Sequence, residues 1–179
     1  MNKFFGHLKT ILKHKFVVFK LCCRFGIPLQ GLLHDMSKFK FIEFGESVKY
    51  YTDGKKSPNS NAIKENGYSV AWNHHKSVNK HHFEYWYIHK KTVEIPDMPF
   101  KYALEMLADR IAACIIYLKK DYTDASPYDY FIVRKDHYEM SEGIKHYLEE
   151  AFTLLKENGI KVLNKKSIKE IYNKYIKES

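Results

Sequence analysis

Apolar side chains recur at spacings of three and four along most of the chain, and strand-like alternation is scarce, so the pattern predicts an all-α protein. Phe4, Leu8, Ile11, Val18, Leu21 or Cys22, and Phe25 mark a long amphipathic helix over about 3–25. Gly26 permits a left-handed cap, and Pro28 suits the first turn of a short second helix that leads into His34-Asp35. A helix over about 40–51 is expected to present Phe41, Phe44, Val48 and Tyr51 on one side. The polar, turn-forming run 52–61 reads as a loop, followed by a helix over about 60–76 weakened at Gly67. Pro99 opens a strong helix over about 99–119 that buries Leu104, Leu107, Ala108, Ile111 and Ile115. Ser126 is expected to cap a helix reaching about Arg134. Helices near 138–157 and 165–177, separated around Gly159, complete the chain.

The 179 residues suit one domain spanning 1–179, and 45% hydrophobic with 28% charged residues is the balance of a folded protein. With 14 Tyr and 12 Phe, much of the core must be aromatic. Cys22, Cys23 and Cys114 show no CxxC spacing, so neither a disulfide framework nor a thiolate zinc site is expected, and a reduced, cytoplasmic setting fits. No apolar run approaches the roughly 18 to 20 residues of a membrane span. The net charge of +9 favours nucleic acid, phosphorylated metabolites or an anionic membrane surface over cationic partners. Residues 1–25 hold six basic side chains and no acidic one, which invites a presequence or surface-helix reading. The segment lacks a continuous apolar core and a small-residue cleavage site, so a packed helix is expected instead.

Chemistry enters where apolar stripes are interrupted. His14 lies three residues after Ile11 and four before Val18, so it points inward, where an imidazole needs a carbonyl or a metal. Asp109 sits beside the buried stripe of its helix and must be paired, protonated or metal-bound. Arg110 faces elsewhere, whereas Glu105, one turn earlier, could share the same cation. The doublet His34-Asp35 serves one cation only where a helix bends or ends, and imidazole plus carboxylate suits Mn, Fe, Co, Ni or Zn. Five of the ten histidines fall between positions 74 and 89. On a continuous helix His75, Asn79, His82 and Trp86 would share one face, and His74, Val78, His81 and Tyr85 another. The sequence contains no Gly-rich phosphate loop, nucleophile elbow or internal repeat.

In chain order, His14, His34-Asp35 and Asp109 resemble the metal-binding pattern of the HD-domain superfamily, with Leu32-Leu33-His34-Asp35-Met36-Ser37-Lys38 similar to its central motif and Leu107-Ala108-Asp109-Arg110-Ile111 to its closing one. The resemblance implies a single HD-domain-like helical bundle with a motif-bearing core over about 10–115 and a helical C-terminal extension over 126–179. It also implies one or two divalent transition metals, held by His14, His34, Asp35 and Asp109, with Asp35 and Lys38 catalytic. A second metal would draw on His75 with His82 or His81; their closeness in sequence departs from the superfamily pattern. The activity implied is hydrolysis of a phosphate ester or anhydride on a phosphorylated small molecule, with a nucleotide expected. Two alternatives stand beside it: a di-iron oxygenase, and a metal-stabilised module that binds nucleic acid or protein. The whole chain also resembles a family of uncharacterised bacterial and phage proteins through Glu43-Phe44, Ser57-Pro58, Ala71-Trp72, His75, Asn79, His81-His82, Tyr85-Trp86 and Glu105-Met106.

Overall fold

The computed structural model describes residues 2–176; these form ten α-helices joined by turns and short 3-10 segments, with no strand among the described residues. The protein is all-α. Helix α1 (Lys3–Arg24) begins where the Asn2 side chain accepts a hydrogen bond from the Phe4 amide, and Gly26, at φ +74, closes its far end. It buries Ile11, Val18, Leu21 and Cys22 as the spacing predicts, although Phe4 in the first turn is 45% exposed.

Helix α2 (Pro28–Leu33) packs on α1 so closely that a Cβ on Gly31 would lie 2.6 Å from Cys22 Cβ and 3.0 Å from Phe19 Cα. Gly31→Ala is therefore expected to destabilise the protein by about 1–3 kcal/mol. Thermal unfolding should show a Tm lower by roughly 2–12 °C; a wild-type melting curve would mean that the helices separate without cost.

Helices α3 (Phe41–Tyr50), α4 (Pro58–Asn66) and α5 (Val70–Val78) form a layer beside α1. The helix expected over 60–76 is two helices, because Gly67 at φ +82 ends α4, and α4 itself starts at Pro58, which shortens the expected loop. Glu46 fastens the start of α5 to α3 by accepting hydrogen bonds from the Ser69 hydroxyl and the Val70 and Ala71 amides at 2.6, 3.1 and 2.7 Å. The face of α3 also departs from expectation. Phe41 is 91% exposed, while Glu43 is buried at 2%, because the inner side of α3 meets the histidines of α5.

Helix α6 (Phe83–Ile88) follows a turn through 79–82, so no continuous helix carries the histidine cluster. Helix α7 (Phe100–Leu118) runs through the centre and buries nearly every residue from Ala103 to Ala108, then Ile111 and Ala112. Around it pack α1, α8 (Ser126–Ile132), α9 (Glu142–Asn158) and α10 (Lys165–Tyr175) in one hydrophobic cluster that includes Val18, Leu107, Phe131, Leu148, Phe152 and Ile168. Hydroxyls of Tyr172 and Tyr147 donate to the carbonyls of Met98 and Ala103 at 2.7 and 3.3 Å, tying the C-terminal helices to the start of α7. Ser126 is not the N-cap of α8; it is that helix's first residue, and its hydroxyl accepts from the Thr123 amide at 2.9 Å in the preceding turn. Helix α9 starts at Glu142, later than expected, because Ser141 caps it through the Ile144 amide. The expected end of the last helix at 177 lies outside the described residues. No helix among them is long and apolar enough to cross a membrane.

Candidate metal centre

The centre lies where α1, the end of α2, the α5–α6 turn and α7 meet. His14 projects from α1 and Asp109 from α7, with Nε2 and Oδ1 2.8 Å apart. The doublet is placed by the end of α2. His34 is extended and Asp35 turns into the left-handed region at φ 55, a conformation that aspartate tolerates better than most residues. Consecutive side chains thereby face one point, as a doublet at a helix end requires. Lys15 secures this turn by donating to the carbonyls of Leu32 and His34, both at 2.6 Å.

The bend through 79–82 does the same for the second histidine group. His75 lies near the end of α5, and His81 and His82 lie in the bend, so all three reach Asp35. One donor atom from each of His14, His34, Asp35 and Asp109 lies within 4.8 Å of the others, and the same holds for Asp35, His75, His81 and His82. Asp35 belongs to both sets. Its Oδ2 faces His34 Nε2 at 3.2 Å and the Lys38 ammonium at 2.6 Å; its Oδ1 faces Nε2 of His75 and of His81, each at 3.2 Å.

Close as they are, Nε2 of His34, His75, His81 and His82 and both Asp35 oxygens are buried and make no aligned hydrogen bond. Buried polar atoms without partners are costly and rare. Asp35 Oδ2 is paired with the Lys38 ammonium, and the other five are the atoms that a cation here would engage. Three of the four outer nitrogens face carboxylates: His34 Nδ1 donates to Glu105 at 2.9 Å, His75 Nδ1 to Glu43 at 2.8 Å, and His81 Nδ1 lies 3.2 Å from Glu105. A carboxylate on Nδ1 fixes the proton there and leaves Nε2 as the ligand atom. The carboxylates are held in turn, Glu105 by the Gln30 amide at 3.0 Å and Glu43 by His74 at 2.6 Å.

Burial disfavours charge throughout, and the local partners decide the outcome. For Asp35, the cost of burial is overcome by His34, His75 and Lys38, which hold the carboxyl well below the usual range. Asp109 is held well down against burial by the hydrogen bond to His14 and by the nearby His34 ring, whose Nε2 lies 3.4 Å away. Burial likewise opposes the charge on Lys38, but Asp35 and Asp109 keep its ammonium protonated. His82 is pushed well below the ordinary histidine value by burial and by repulsion from His81 and His75, whereas the neighbouring carboxylates raise His34, His75 and His81 against burial.

Every residue singled out from the sequence, His14, His34, Asp35, Lys38, His75, His82 and Asp109, converges here. His81 joins His82 beside Asp35, where only one of the two is expected from the sequence, because the bend removes the helical geometry that would put them on different faces. Glu105 does not share a cation with Asp109 on the inner side; it binds the outer nitrogens of His34 and His81. Glu43, Ser37 and Asn79 were not anticipated as site residues. The Ser37 hydroxyl and the Asn79 amide lie 3.2 and 3.1 Å from His75 Nδ1. The available signal was a lone carboxylate, Glu43, among apolar neighbours.

Fold and site together define an all-α protein with a buried cluster of histidines and carboxylates able to hold metal ions. The chain belongs to a family of unknown function (DUF5662), which matches residues 3–154 and so includes every residue of the cluster. No curated protein and no solved structure matches it.

Proposed function

We propose that this chain is a metal-dependent phosphohydrolase of the HD-domain type, acting on a phosphate ester or anhydride of a nucleotide-like small molecule. The supporting observation is the pair of ligand sets sharing Asp35, in which Nε2 of His34, His75, His81 and His82 is buried without a hydrogen bond. Divalent transition metals of the Mn to Zn series, one in each set, would lower the pKa of bound water and polarise a phosphoryl oxygen. His14, His34, Asp35 and Asp109 would hold one; Asp35, His75, His81 and His82 would hold the other. Lys38 keeps its ammonium beside Asp35 with its side chain 29% exposed, so it meets an entering phosphate and offsets the charge that grows on its oxygens. The surface charge of +9 attracts such a substrate.

Histidine-rich sets around one shared carboxylate also suit a pair of iron ions, which favours a di-iron oxygenase as the second reading. Elemental analysis of purified protein, followed by nucleotide and phosphate-ester turnover and oxygen uptake, separates the two. About two metals per chain with phosphate release is the expected result. Oxygen consumption by iron-loaded protein without phosphate release would replace it with the second reading, and failure to bind Mn, Fe or Zn would overturn both.

A further inference from the structure

We infer that the outer face of α1, together with α2, docks this protein on an anionic lipid surface. Helix α1 carries two apolar stripes. One is buried; the other, Phe5, Leu8, Leu12 and Phe16, lines a shallow surface groove with Lys9 and Lys13. Phe5 and Phe16 are 64% and 61% exposed, and Lys20 lies over the Phe16 ring at 5.3 Å. The patch continues onto α2. Lys15, next to Phe16 and one turn from Leu12, bonds the Leu32 and His34 carbonyls and so ties this face of α1 to the end of α2, where the Leu32 and Leu33 side chains are also exposed. Contiguous exposed apolar surface of this kind marks an interaction site rather than scatter.

Charge selects the occupant. Residues 2–34 hold Lys3, Lys9, Lys13, Lys15, Lys20 and Arg24 and no acidic residue, and the next two carboxylates, Asp35 and Glu43, are buried in the metal centre. A second copy paired face to face would set these lysines against themselves, since residues 2–34 supply no carboxylate to receive them. An anionic bilayer accepts both features at once. The Phe and Leu side chains enter the acyl boundary while the lysines meet the headgroups, with the helix, about 33 Å long, lying flat.

The test is co-sedimentation of the full chain with vesicles of phosphatidylcholine alone or mixed with phosphatidylglycerol, at low and high salt. Wild-type protein should bind the mixed vesicles, release as salt rises and ignore phosphatidylcholine alone. Leu12→Ser with Phe16→Ser, and separately Lys9→Glu with Lys13→Glu, should each weaken binding about tenfold or more. These side chains are exposed, so the variants should retain wild-type metal content and circular dichroism, which separates lost docking from lost folding. Equal vesicle binding by wild type and both variants would overturn the inference. So would no vesicle binding with salt-sensitive RNA binding, or a concentration-dependent dimer that Leu12→Ser with Phe16→Ser abolishes.

Discussion

Asp35→Asn protein is expected to lose metal from both ligand sets and to fall more than about a hundredfold in phosphate release, a larger effect than removal of a supporting carboxylate. Asp35 is the one residue common to the two sets, its oxygens turned in opposite directions toward His34 and toward His75 and His81. Asparagine keeps the size of the side chain and tolerates the left-handed backbone at φ 55, so the variant removes the charge without forcing the turn to refold. Asp109→Asn and His82→Gln each alter one set only, and each should leave the other metal in place. Elemental analysis beside circular dichroism checks the series. A folded Asp35→Asn protein with wild-type metal content would remove Asp35 as the shared ligand.

Glu105→Gln is the second large effect. Its carboxylate accepts from His34 Nδ1 at 2.9 Å and lies 3.2 Å from His81 Nδ1, so one residue orients a histidine in each set. Burial raises its pKa and the two histidines more than offset this, holding the carboxyl down to about 2, so glutamate here carries a full charge. Glutamine keeps an acceptor but removes the charge that makes both imidazoles stronger donors to a metal. Metal affinity should fall about 10- to 100-fold, with turnover recovering as metal is added in excess. Glu43→Gln acts on the second set alone, through His75 at 2.8 Å, and should weaken one metal rather than two. Titration with metal, reading occupancy and turnover together, distinguishes these outcomes. Unchanged affinity in Glu105→Gln would mean that the packing of α2 and α7 alone orients the histidines.

Much of the centre was legible along the chain because a buried charge must interrupt an apolar stripe. His14 and Asp109 stand out on α1 and α7 for that reason, and the doublet stands out because only a helix end lets neighbours face one point. His81 was less legible. Helical periodicity sorts His81 and His82 onto different faces, and the bend after Val78 cancels that sorting. Glu43 was hidden by its neighbours: Phe41, Phe44 and Val48 looked like the inner face of α3, yet Phe41 is exposed and Glu43 is not. Local apolar spacing states which positions share a side, but not which side the rest of the molecule will cover.

The sequence by itself determined that the protein is helical, where α1, α2 and α7 run, and which residue types had to be satisfied in their buried stripes, since these follow from periodicity, capping residues and the cost of burying charge. Only the tertiary structure decided that four separated segments place their donor atoms around one aspartate, that Glu105 and Glu43 stand behind the histidines, and that a second stripe on α1 stays uncovered. Those outcomes depend on the direction of the turns at Asp35 and at 79–82 and on the packing of α3 against α5, which are set by contacts between residues far apart in the chain.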